Sequence, residues 1–176
     1  MRVTTGKFKG RTLRTVQDLS VRPATDRVRQ TIFNVLAHRM VLDGCRVLDL
    51  FAGSGSLGIE ALSRGAAHAT FVEEDGNALE YLEANLGMLG AEADATVLQM
   101  DAVDFLRQSS EPFDLIFADP PYNLQLSQEL FRPNMTRVDA VNDDWDQFSG
   151  FEDYDRFTRS WLKACRRVLK DTGTLW

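Results

Sequence analysis

Asp119-Pro120-Pro121-Tyr122 closes the apolar run Phe113-Asp114-Leu115-Ile116-Phe117-Ala118. An acid, two stiff carbonyl-bearing residues and an aromatic ring suit one task, holding a flat base by its amino group while the ring stacks on its face. An apolar run that ends in an acid predicts a buried parallel strand opening into a loop, and ligands of open α/β sheets bind at that edge. The plainer reading is a strand-end turn with a solvated Asp and a packed Tyr.

A second group lies upstream. Arg46–Phe51 predicts a buried strand, and Ala52-Gly53-Ser54-Gly55-Ser56-Leu57-Gly58 follows it before a helix at Ile59–Arg64. Gly53, Gly55 and Gly58 form G-x-G-x-x-G in strand–turn–helix context, where glycines let a ligand approach the backbone. Alone, the pattern predicts a dinucleotide. Asp49, four residues before Gly53, would repel a pyrophosphate and suits a cationic amino-acid end instead. Glu73 ends the run Ala69-Thr70-Phe71-Val72, 20 residues after Gly53, a spacing suited to a ribose diol. Glu74 and Asp75 read as solvated charges.

These residues need a scaffold. The pattern predicts helices at about Ala78–Leu89 and Val103–Gln108 and a strand at Ala95–Met100 ending at Asp101. Strands alternating with helices give a doubly wound, mostly parallel sheet. Its ligand edge then carries Asp49, Glu73, Asp101 and Asp119 in phase. Ahead of the sheet, residues 1–16 predict a short hairpin around Gly6 and Gly10. Thr25 or Asp26 caps a helix from about Arg27 to Arg39 with Val28, Ile32, Phe33, Val35 and Leu36 on its apolar face. A helix near Tyr154–Leu169 and the start of a fifth strand at Gly173–Trp176 close the chain.

The 176 residues predict one globular fold, 44% hydrophobic and 26% charged. No apolar run is long enough to span a membrane, and the first residues lack a signal-peptide core. Cys45 and Cys165 are isolated, which predicts reduced thiols and a cytoplasmic protein. The net charge of −6 is unevenly spread: residues 1–30 carry +6, leaving −12 for the rest. A basic arm on an acidic body fits a polyanion, and a solvated hairpin without a partner is the alternative. Residues 139–155 hold seven acids and no Lys or Arg, a poor surface for phosphates. Trp145, Phe148, Phe151 and Tyr154 in and beside it read as packing anchors.

Residues 1 to about 122 resemble the bacterial 16S rRNA guanine-N2 methyltransferase family. Thr5–Arg11, Arg22–Arg29, Asp49–Gly58, Phe71–Glu73 and Asp119–Tyr122 carry the likeness. It implies a Rossmann-like class I S-adenosylmethionine-dependent methyltransferase fold with S-adenosyl-L-methionine as cofactor and no metal. It implies a methionine end held at Asp49, Gly53, Ser54 and Gly55, a ribose at Glu73 and an adenine at Asp101. Gly58 and Ala102 complete that set. Asp119, Pro120, Pro121 and Tyr122 hold the base, and the arm meets rRNA or the small ribosomal subunit through Lys7, Lys9, Arg11, Arg22 and Arg29. Residues 1–20 then form the arm and 21–176 the methyltransferase domain, with 123–156 as an acidic, aromatic loop region.

From about Phe113 onward the chain also resembles the adenine-N6 DNA methyltransferases that act on GANTC sites. Asn123–Leu126, Arg132–Asn134, Val138–Val141, Trp145–Phe148, Phe157–Leu162 and Arg166–Lys170 carry that likeness. The chain thus reads as a junction inside the shared Asp-Pro-Pro-Tyr stretch. The class I sheet expects the rest of the fifth strand and two more, which leaves an interior edge exposed. Three readings follow: guanine-N2 transfer in rRNA, adenine-N6 transfer in DNA, and a cofactor-binding domain without turnover. The first is preferred because the arm is read as the basic surface.

Overall fold

Runs such as Val47-Leu48-Asp49-Leu50 and Leu115-Ile116-Phe117 are apolar at almost every position, so both faces of the strands they form must be covered. In the computed structural model they are. The structure describes residues 1–15, 26–120 and 148–176, and the backbone of 130–131 and 137–138. The elements run α1 Asp26–Ala37, β1 Arg46–Leu50, α2 Ser56–Ser63, β2 His68–Glu73 and α3 Gly76–Leu89. After a 3-10 turn at Glu92–Asp94 come β3 Ala95–Gln99, α4 Ala102–Gln108, β4 Phe113–Ala118 and the short β5 Leu130–Phe131 and β6 Arg137–Val138. The chain ends with α5 Phe151–Val168 and β7 Leu169–Leu175.

Five strands form one parallel sheet in the order β3-β2-β1-β4-β7. The order reverses between β1 and β4, where Leu50 pairs Ala118 on one side and Val72 on the other. That crevice is where an open sheet binds its ligand. Strand alternation sends Val47, Phe71, Leu115 and Phe117 into a core shared with α1, α2 and α3. Leu48, Leu50, Val72 and Ile116 enter the opposite core with α4 and α5. Local chemistry sets the helix starts. Asp75 caps α3 by accepting from the Asn77 N–H at 2.9 Å, so it is not the plain solvated charge expected, and Asp101 caps α4 through the Asp104 N–H at 2.8 Å.

Further expectations are corrected. Val28 is 49% exposed, and Arg29 takes the buried place on α1, completely enclosed and donating to the Arg2 carbonyl and the Asp26 carboxylate. The fifth strand begins at Leu169 directly after α5, not at Gly173. Phe113 pairs with Leu169 but Leu115 with Thr174, so a bulge holds the intervening residues, and Lys170 folds back onto Asp114 at 2.6 Å. Finally, the arm is not the one basic surface, because Arg156, Arg159, Lys163, Arg166 and Arg167 are exposed along α5. Of the aromatic anchors, Phe148 packs on Tyr154 and Phe157, Phe151 is 79% exposed, and Trp145 lies outside the described residues.

Candidate active site

The carboxyl ends of β1, β2, β3 and β4 converge on one turn. After Leu50 the chain swings out through Phe51, whose φ of 58° is a strained value for a bulky residue. Its ring makes edge contacts with Phe157 and Trp161 of α5, which hold the turn from the far face. The Ala52 N–H bonds the Val72 carbonyl, and the Gly53 N–H bonds Glu73 Oε2 at 2.7 Å. Glu73 Oε1 accepts from the Glu74 and Asp75 N–H groups, and the Met100 N–H bonds the Glu73 carbonyl. Glu73 thus ties the ends of β1, β2 and β3 together. Each carboxylate oxygen can accept more than one bond, so capacity for a ligand hydroxyl remains.

The three glycines divide. A Cβ on Gly55 would lie 2.2 Å from Leu82 Cδ1, and one on Gly58 would lie 2.3 Å from the Phe71 ring. Both face the core and serve packing, contrary to the expectation that all three admit a ligand. Gly53 alone of the three, at φ 54°, has open space where its Cβ would stand.

Asp49 is 2% exposed and accepts from the Gly58 N–H at 2.8 Å, anchoring the first turn of α2. Burial pushes its carboxyl up to about 8; the Gly58 N–H opposes this, while Asp119 and Glu73 add to it. Among the described residues, the charged groups that act on Asp49 are both carboxylates. An ammonium or sulfonium group would relieve the repulsion among these carboxylates, and the open approach at Gly53 gives such a ligand backbone room. By that test the residues present fit S-adenosylmethionine.

Asp119 follows β4 and is exposed at the same edge, and Pro120 is half-buried. Pro121 and Tyr122 lie outside the described residues. Asp101 and Ala102 stand at the head of α4, beside the Met100–Glu73 bond. Reading the sequence missed Glu60, a fully buried acid inside α2 that receives the Thr4 N–H, Thr4 hydroxyl and Thr5 N–H at 2.8, 2.6 and 3.1 Å. Its only signal is an acid within the apolar Leu57-Gly58-Ile59-Glu60-Ala61-Leu62 run.

Glu60 clasps the arm. Gly6 packs so closely on α2 that a Cβ there would meet the Ser63 carbonyl oxygen at 1.7 Å, and the Lys7 N–H bonds that carbonyl at 2.7 Å. Lys7 also pairs with Asp94, just before β3, at 3.1 Å, and Arg11 reaches the Met88 carbonyl near the end of α3. Lys7, Arg11 and the exposed Lys9 therefore sit at the amino edge of the sheet, opposite the acids. Arg29, expected at a phosphate, is enclosed in α1, and Arg22 lies outside the described residues.

The sequence profile of the family described as conserved hypothetical protein 95 matches residues 1–141, and that described as DNA methylase matches 113–176. Their overlap contains the Asp119–Tyr122 stretch. YlbH of Bacillus subtilis strain 168, a provisionally named rRNA methyltransferase, is 46% identical over 133 residues, covering 74% of this chain and 71% of that protein. Ribosomal RNA small subunit methyltransferase D of Escherichia coli K12 is 44% identical over 129 residues, covering 73% of this chain and 64% of its own length. A solved structure from Escherichia coli, yhhF, provisionally named a methyltransferase, aligns at a TM-score of 0.62 with 43% identity, over 69% of this chain and 64% of that one. The chain thus spans about two thirds of these relatives, has the Rossmann-like class I methyltransferase fold, and belongs to the family described as conserved hypothetical protein 95.

Proposed function

We propose that the protein transfers a methyl group from S-adenosylmethionine to an exocyclic base amine in small-subunit rRNA, at guanine N2. The observation that carries the reading is the carboxylate edge, where buried Asp49 stands beside Glu73 and Asp119, whose charges raise its pKa further. The names of the relatives supply the RNA substrate class. S-adenosylmethionine, when bound, supplies an electrophilic methyl group on a cationic sulfur. Asp49, Gly53 and Glu73 hold it, with Asp101 and Ala102 at its far end.

The chain's own residues act on the amine. Its lone pair is delocalised into the base ring, so it is a poor nucleophile. Asp119 and the Pro120 carbonyl accept its two N–H bonds and favour the pyramidal geometry that frees the lone pair. Tyr122 stacks on the base, which leaves its helix to reach the site. The proton that the nitrogen must lose on gaining the methyl group leaves along its hydrogen bond to Asp119, and positioning and fixed charge, not a separate strong base, carry the rate.

The match of residues 113–176 to DNA methylase favours a second reading, adenine-N6 transfer in DNA. One assay separates the two. Titration with S-adenosylhomocysteine measures cofactor binding, and labelled methyl transfer is compared on 30S subunits, naked rRNA and a GANTC duplex. Label in rRNA guanine supports the first reading and label in the duplex replaces it with the second. Cofactor binding without label on any substrate leaves a binding domain.

A further inference from the structure

Asn85 lies on the apolar stripe of α3, between Leu82 and Leu86, and is fully buried. An amide in that position is costly unless its hydrogen bonds are made. They are made to two distant stretches of backbone. Oδ1 accepts from the Arg14 N–H at 2.7 Å, while Nδ2 donates to the Arg14 carbonyl at 2.9 Å and to the Ser54 carbonyl at 3.1 Å. The partners fix the amide's orientation, since a flipped group would set oxygen against oxygen.

Each end of this bridge adjoins a surface expected to meet a ligand. Ser54 follows Gly53, whose exposed side opens at the cofactor edge. Arg14 follows Leu13 in the segment that returns from the basic tip at Lys7–Arg11. Between them the arm is pinned by buried Val3 and Leu13. If either stretch moved away, a buried amide hydrogen or oxygen would lose its partner, so the two stretches hold their places together.

We propose that Asn85 is a positioning residue that couples the nucleic-acid arm to the cofactor loop, so that occupancy of one tightens binding at the other. This rests on the function proposed above. Coupling of this kind is reciprocal. A merely structural Asn85 would weaken both ligands without changing the factor by which one assists the other.

The test measures that factor. The affinity of a 16S rRNA transcript is determined with and without S-adenosylhomocysteine, in the wild-type protein and in Asn85→Ala. The expected wild-type gain is about fivefold or more, falling below about twofold in the variant. A second measurement needs no variant: amide hydrogen exchange at Arg14, which should slow severalfold when S-adenosylhomocysteine binds the wild-type chain. This decides the matter if Asn85→Ala does not fold. An unchanged coupling factor in a folded variant, or Arg14 exchange indifferent to bound S-adenosylhomocysteine, overturns the proposal while leaving the function intact. Absence of S-adenosylhomocysteine binding in the wild type overturns both.

Discussion

The two ends of α2 make opposite surfaces from one helix. At its amino end, Gly58 gives its N–H to the buried Asp49 carboxylate, on which two further strand-end acids, Glu73 and Asp119, act. At its carboxyl end, Ser63 receives the arm, and Lys7, Lys9 and Arg11 gather over exposed backbone and Asp94. Eight helical residues, about 12 Å, separate them. At the acid end Asp49 is desolvated, so the charges of Glu73 and Asp119 add to the rise in its pKa. The basic end is wet, and its ion pair is worth at most about 1 kcal/mol. One end is thus built to hold a compact cation, the other to meet a polyanion at a distance from the reacting base.

The largest effect expected from this contrast lies in pH. The Asp49 carboxyl titrates near 8 in the fold and near 4 when unfolded, so the unfolded chain loses this proton first as pH rises. Asp49 therefore lowers the stability of the free protein across about pH 4 to 8, by up to about 1.4 kcal/mol per pH unit, with no further change outside that window. Asp49→Asn should flatten this slope in denaturant titrations. Calorimetry in buffers of different ionisation enthalpy should show close to one proton released when S-adenosylhomocysteine binds the wild type at pH 7. A binding enthalpy independent of buffer would mean that no cationic group comes to rest beside Asp49.

The glycines sharpen the same boundary. Gly58→Val would drive methyl groups into the Phe71 ring and should destabilise the fold by roughly 3 kcal/mol or more, read as a lowered midpoint in urea. Gly53→Ala meets no neighbour, so it should cost only about 1 kcal/mol for its positive φ while weakening S-adenosylhomocysteine binding. Equal stability losses in the two variants would erase the distinction between packing and ligand-facing glycines.

That distinction marks the limit of what the sequence reveals. The placement of Asp49, Glu73 and Asp119 was legible because an acid at or near the end of an apolar run falls at the carboxyl edge of a parallel sheet, and the structure brings those strand ends together. Which glycine faces a ligand was not, since it depends on Leu82 and Phe71, far along the chain. Arg29 was misplaced because a charge is assumed to be solvated, whereas bonds that include those to Arg2 and Asp26 let it be enclosed. The fifth strand was read four residues late because Lys170 and Asp171 look like a polar helix end. Lys170 instead pairs with Asp114 on β4 while Leu169 has already begun the strand. The position of the arm was hidden for a similar reason: nothing local to Thr4 and Thr5 names Glu60 as their partner.

Asp119 tests the acid end by chemistry and not by stability. Asp119→Asn keeps the shape but turns one accepting oxygen into a donor facing the substrate amine. Single-turnover methyl transfer should fall about ten- to a hundredfold, corresponding to roughly 1.5–3 kcal/mol. S-adenosylhomocysteine affinity on the same preparation should change little, because Asp119 is assigned to the base. Parallel loss of both would make it a scaffold residue.

The smallest effect, and the one that tests the basic end, comes from Lys7→Ala, Lys9→Ala and Arg11→Ala combined. All three side chains are exposed, and the Lys7–Asp94 pair is close to half-exposed on both sides, so stability should change by no more than about 1 kcal/mol. Cofactor affinity should not change, since these residues lie at the opposite edge from Asp49 and Glu73. RNA affinity should fall, and its log–log dependence on salt should flatten by about one for each phosphate contact removed. The slope separates two causes of weaker binding. Loss of phosphate contacts lowers it, whereas a distorted site weakens binding with the slope intact. An unchanged slope would remove the tip from the nucleic-acid surface and turn attention to the exposed cations of α5. In that case the two ends of α2 would differ in charge without differing in the partner they serve.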